Sequence, residues 1–171
     1  MKSTAIFYTL TLGLMSLGIS TKAQETASAT ATATIVTPIA ITKDVDMNFG
    51  ILSVQSTTGG TVVLTPAGVR TPSGGVTLPV DNGTVTAASF TVTGLEDYTY
   101  NVTLPSSALT ITSGSNTMTV TSFTSSPSGS NGTLTGGTET LNVGATLNVS
   151  AAQPAGTYVS GTPFNVTVNY N

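Results

Sequence analysis

From residue 27 onward, apolar and polar residues alternate with a period of two. Over residues 27–41 the odd positions read Ala, Ala, Ala, Ala, Ile, Thr, Ile, Ile, while the even positions are mostly Thr and Ser. After a polar break at Lys43-Asp44 the odd set resumes with Val45, Met47, Phe49 and Ile51. Further runs are Val76/Leu78/Val80, Ala88/Phe90/Val92, Tyr98/Tyr100/Val102/Leu104, Leu109/Ile111, Met118/Val120, Leu141/Val143, Leu147/Val149 and Phe164/Val166/Val168/Tyr170. Successive side chains of a strand point to opposite faces, so each run carries one greasy face and one hydroxyl-rich face. No stretch beyond the first 23 residues shows a helical stripe, and the pattern predicts an all-β chain.

Turn residues fall between these runs. Asn82-Gly83, between Val80 and Val85, predicts a two-residue hairpin, because both turn positions favour positive φ. Asn131-Gly132, Gly59-Gly60, Gly74-Gly75 and Gly136-Gly137 mark other corners, and Pro127 with its Ser and Gly neighbours predicts a loop over residues 125–132. Phe123 breaks the phase set by Met118 and Val120, which predicts a bulge near Ser122. About eight to ten short strands with frequent turns indicate an antiparallel β-sandwich rather than a barrel.

The first segment has a different character. Lys2 is followed by an apolar stretch, residues 5–19, and then by Thr21-Lys22-Ala23, with small residues at the positions that a signal peptidase reads. Residues 1–23 are expected to be a secretory signal peptide. The apolar stretch is shorter than the roughly 20 residues needed to span a bilayer, so no stable membrane span is expected after cleavage. Cleavage is expected to leave an exported product, at a cell surface, extracellular or periplasmic. Residues 24–34 then form an extended amino-terminal segment and residues 35–171 a single β domain.

Composition narrows the chemistry. The chain has no Cys, His or Trp, which removes disulfides, thiol chemistry, His-dependent triads and imidazole metal sites. Thr fills about one position in five, and Thr favours strands. Beyond residue 23 the basic residues are Lys43 and Arg70 alone, against seven acids. Two scattered cations cannot neutralise a run of phosphates, so no nucleic-acid partner is expected. No cofactor is expected either.

Three clusters invite a functional reading. Asp44, Asp46 and Asn48 place oxygens at alternate positions, as in a calcium loop, but Phe49 and Gln55 stand where an EF-hand needs Gly and Glu. Strand alternation accounts for them as a solvated face opposite Val45, Met47 and Phe49. Glu96-Asp97 is a carboxylate pair, yet sequence neighbours point apart on a strand, and a hydrolase needs a carboxylate held in an apolar pocket to raise its pKa. Catalytic residues are therefore not expected, and the chain is read as a non-enzyme. Tyr98, Tyr100, Tyr158 and Tyr170 could build a sugar-stacking platform, although Tyr98 and Tyr100 share parity with Val102 and Leu104 and so read as core. Sequons at Asn82, Asn101, Asn131, Asn148 and Asn165 follow from the abundance of Asn and Thr.

The order of short motifs is nonetheless specific. Ile35-Val-Thr-Pro-Ile-Ala-Ile41 precedes Asn48-Phe-Gly50, then Ala88-Ser-Phe-Thr-Val-Thr-Gly94 and Tyr100-Asn-Val-Thr-Leu-Pro105. Leu141-Asn-Val-Gly-Ala-Thr-Leu147, Pro154-Ala-Gly-Thr-Tyr158 and Phe164-Asn-Val-Thr-Val-Asn-Tyr170 complete the series. The chain resembles the bacterial family of exported domains known as domain of unknown function 4402, over about residues 29–170. More distantly it is similar to the spore coat protein U and fimbrial-subunit group. The resemblance implies an immunoglobulin-like, pilin-like sandwich at the bacterial surface, with no catalytic residues to carry over. Fimbrial subunits end in an alternating strand that closes on an aromatic, as Phe164, Val166, Val168 and Tyr170 do, and are completed by a neighbour's amino-terminal extension. The absence of Cys departs from the spore coat relatives, and small residues replace the bulky groups of donor extensions.

The expected function is a secreted, non-enzymatic surface structural subunit, pilin-like or coat-like, that self-associates or joins other surface subunits by β-strand addition. Its candidate assembly strand is Ala27, Ala29, Ala31, Ala33 and Ile35. The alternatives are that this segment belongs to its own sheet or simply frays, and, for function, an extracellular glycan- or protein-binding module of the adhesin type using loops such as 125–132.

Overall fold

The structure is a computed structural model that describes residues 24–130 and 132–171. The segment expected as a signal peptide, residues 1–23, lies outside the described residues. Residues 35–171 form one compact unit. Residues 24–34 form no strand and are exposed throughout.

The compact unit is nearly all β, with no α-helix among the described residues. Its strands are β1 (Ala40–Val45), β2 (Ser53–Val54), β3 (Gly60–Leu64), β4 (Arg70–Gly74), β5 (Val76–Thr77), β6 (Ala88–Thr93) and β7 (Thr99–Thr103). They continue with β8 (Leu109–Ser113), β9 (Asn116–Ser126), β10 (Gly132–Thr133), β11 (Thr138–Val149), β12 (Val159–Ser160) and β13 (Thr167–Tyr170). Every ladder is antiparallel. The largest sheet runs β1-β6-β11-β9-β8-β12, with β3 and β4 added beside β11. A second sheet runs β10-β7-β13, and β2 pairs with β5.

One strand organises this arrangement. Along one edge β11 pairs β6 through Thr138–Val143 and then β3 through Ala145–Val149. Along its other edge it pairs β9. The handover falls at Gly144, where a Cβ would run into the Leu64 carbonyl and the Thr65 backbone. Glycine permits that close approach. Opposite the handover, two steps on β11 from Gly144 to Thr146 face three on β9 from Thr124 to Thr121. The extra residue is a bulge, with Ser122 at φ 51°, as the phase break at Phe123 predicts.

The inward positions of β11 build two clusters. Leu141 and Val143 join Phe90 and Val92 of β6, Tyr100 of β7, Val168 of β13 and Leu134 in the first. Ala145, Leu147 and Val149 join Val62 of β3, Val76 of β5 and Met118 and Val120 of β9 in the second. Met47 and Phe123 pack against both. Each Val or Leu so buried contributes about 1.5–3 kcal/mol relative to an exposed side chain.

Several expectations need correction. Asn82-Gly83 does not make a hairpin: the bend falls at Val80-Asp81, no ladder flanks it, and Thr86 forms only an isolated bridge to Asn48. The Asn82 carbonyl instead accepts from the Ile51 N–H at 2.8 Å, and its side-chain oxygen accepts from Arg70 at 2.8 Å. Long-range bonds have taken the groups that a local hairpin would use. The β3–β4 hairpin was not signalled by alternation, because Val62-Val63-Leu64 is continuously apolar and β4 has no apolar run. Val45, Ile51 and Val80 are exposed. A register shift between Lys43 and Val45 ends the regular ladder of β1, which turns Val45 outward. The first strand begins only at Ala40, so Ile35–Ile39 lead into the sheet without joining it. Strand β9 runs through Ser126 into the expected 125–132 loop, and the Gly129 carbonyl accepts from the Val102 N–H at 2.9 Å.

Candidate functional site

The backbone along a sheet edge offers unpaired N–H and C=O groups, and edges that are to stay free usually carry charge, proline, a bulge or very short length. Strand β1 carries Lys43 and Asp44, with Lys43 ion-paired to Asp46 at 2.8 Å just beyond it. Strand β4 has Pro72 at its centre and Arg70 at its start. Where β9 runs past its pairing with β8, it holds the Ser122 bulge and is followed by Pro127. Strands β10 and β12 are two residues long.

Strand β13 has none of these protections. It pairs β7 on one side, from Thr167↔Thr103 to Tyr170↔Tyr100, and ends its sheet on the other. Its pairing is regular, it contains no proline, and no charged residue occurs from Thr140 to Asn171. Its inward side chains are well anchored. Val168 is buried, and Phe164, Val166 and Tyr170 pack partly buried against the first core. Phe164 meets Phe90 edge-on at 6.4 Å and Phe123 at 5.0 Å. The four residues of the carboxyl-terminal alternation therefore share one face. An open cleft of about 350 Å³ lies beside the lead into β13, between residues 104–109 and Phe164 with Asn165.

The candidate assembly residues Ala27, Ala29, Ala31, Ala33 and Ile35 are all exposed and in no strand, with Ile35 97% exposed.

The other candidates do not converge. Glu96 and Asp97 sit exposed in the turn between β6 and β7, where Asp97 adopts φ 63°. Asp44 accepts from the Thr91 hydroxyl at 2.8 Å, and Asp46 is held by Lys43. No group of three or more acidic, Cys or His side chains able to hold a metal occurs among the described residues. Nor is any described helix long and apolar enough to cross a membrane.

The tyrosines part company. Tyr100 is buried, while Tyr98, although of the same parity, is 46% exposed and packs edge-on against Tyr170 at 5.6 Å. Tyr158 donates to the Pro154 carbonyl at 2.7 Å and accepts from Gln153 at 2.8 Å. Among the sequons, Asn148 donates to the Thr119 carbonyl and the Thr121 hydroxyl, Asn101 and Asn165 are exposed, and Asn131 lies outside the described residues.

Arg70 was not singled out as a site residue, yet it is a structural clasp. Its guanidinium donates to the Phe49 and Ile51 carbonyls and to the Asn82 side chain, tying together two connections that share no strand. Its isolation in a chain so poor in charge was the available signal. Glu139 was also passed over. It shares the inward parity of Leu141 and Val143, accepts from the Thr133 N–H at 2.8 Å, and lies beside the buried Tyr100 hydroxyl.

No curated protein and no solved structure matches the chain. A family model does, over residues 39–170, described as "Domain of unknown function (DUF4402)". That span runs from the lead into β1 to the last residue of β13 and takes in both cores, so the chain belongs to the DUF4402 family.

Proposed function

We propose that this protein is an exported, non-enzymatic structural subunit of the bacterial surface, pilin-like or coat-like, which assembles by accepting a strand from a neighbour. The observation that carries this reading is the free, uncharged and proline-free outer edge of β13, which lacks the guards that β1, β4, β9, β10 and β12 carry. Strand order supports an immunoglobulin-like sandwich. The order β1-β6-β11-β9 corresponds to one immunoglobulin sheet and β7-β13 to two strands of the other, with no strand among the described residues outside β13 where a third would lie. Residues 27–35 can extend over about 30 Å at roughly 3.3 Å per residue, long enough to pair along such an edge. Main-chain hydrogen bonds would supply affinity and the alternating side chains the register.

The test compares the chain beginning at residue 24 with a variant lacking residues 24–34, by sedimentation and electron microscopy. The longer protein is expected to form oligomers, and the deletion to stay monomeric with an unchanged melting temperature. Monomer alone at high concentration of the longer protein overturns the assembly reading. A large loss of stability in the deletion makes the segment an intrinsic strand instead.

A further inference from the structure

We infer that the Tyr170 hydroxyl is a latch that fixes the course of residues 35–39, so that the last strand of the fold sets how the chain enters the first. The hydroxyl accepts a hydrogen bond from the Leu95 N–H at 2.7 Å and donates one to the Thr37 carbonyl at 2.9 Å. A phenol has a single proton. With the Leu95 N–H occupying a lone pair, that proton is directed at Thr37, and the two bonds define one orientation of the group.

The surroundings are shaped for this contact. Gly94 leaves room for the hydroxyl, since a Cβ there would run into it. The Tyr98 ring, edge-on at 5.6 Å and 70° to the Tyr170 ring, sets the ring plane. Residues 35–39 have little else to hold them. Ile35 and Val36 are exposed, the β1 ladder starts at Ala40, and only Ile39 packs on the core. Among the described residues, the bond to Tyr170 is the one hydrogen bond made by residues 35–39 outside that ladder. Pro38 follows directly, and it confines Thr37 to extended backbone, so pinning one carbonyl fixes the direction of the whole lead-in.

The latch links the two ends of the domain. A ligand that displaces Tyr170 frees Thr37, and tension on residues before Thr37 is felt by β13. This inference stands without the assembly reading, because it concerns contacts within one molecule and is tested at a dilution where sedimentation shows the monomer.

The experiment uses the chain beginning at residue 24 and its Tyr170→Phe variant, which keeps the ring and removes the hydroxyl. Tyr98→Phe, which removes a hydroxyl that makes no hydrogen bond among the described residues, is the control. Amide hydrogen exchange at Leu95 and cleavage within residues 35–37 by a broad-specificity protease are followed. Both are expected to accelerate about fivefold in Tyr170→Phe, the effect of losing roughly one hydrogen bond locally, with exchange in β11 unchanged. Unchanged rates at both sites overturn the latch. So does an acceleration spread equally over β6 and β11, which would make Tyr170 an ordinary packing residue.

Discussion

Tyr100 shows how one side chain can make a fold sensitive to alkali. It is fully buried, its ring fills the space over Gly132, and its hydroxyl makes no well-formed hydrogen bond. Burial first, and the neighbouring Glu139 carboxylate second, push its ionisation well above the usual 10.0. In the unfolded chain the phenol loses its proton near that ordinary value, whereas the folded protein retains it to higher pH. The unfolded state then binds fewer protons, so stability falls as pH rises above about 10, and is fully present below it. Urea denaturation of the protein and of Tyr100→Phe at pH 8 and pH 11 checks this. The variant should lose much less stability between the two pH values, and equal losses in both proteins would assign the effect elsewhere. Because the hydroxyl has no well-formed partner, Tyr100→Phe should cost little at pH 8.

Strand β13 carries the prediction about assembly. Its outward side chains are Thr167 and Asn169, and a lysine on an edge strand is a natural guard against pairing. Thr167→Lys is therefore expected to abolish oligomers while changing stability by no more than about 0.5 kcal/mol, the usual range for a surface substitution. Oligomers of unchanged size in this variant, by sedimentation, would remove β13 as the acceptor. Much of the strand layout could be read from alternation, because Ala88/Phe90/Val92, Met118/Val120 and Leu141/Val143 each bury one face of one strand. Alternation failed where burial did not follow parity. The Val62-Val63-Leu64 run hides its pattern, and β4 follows β3 through backbone pairing, with no apolar signal of its own. Asn82-Gly83 forms no hairpin because Arg70 and Ile51, distant in sequence, claim the polar groups of Asn82. As for the candidate site, the absence of charge near the carboxyl terminus was visible from the start. That β13 lies at an edge is a fact of pairing, which the order of residues along a chain does not contain.

The molecule as a whole depends on partners far apart in sequence. Strand β1 pairs with β6, β3 with β11, and β7 with β13. No Cys is present to restrain the unfolded chain, and no charged residue follows Glu139, so packing and backbone pairing must supply the stability. Two clusters invite the expectation of two units that melt one after the other. Strand β11, however, is a wall of both, and changes neighbours at Gly144 without a break. Neither half can let go of it without exposing the apolar face of the other. Scanning calorimetry should accordingly record one heat-absorption peak, with the calorimetric enthalpy equal to the van't Hoff value, from a protein with two separate greasy centres.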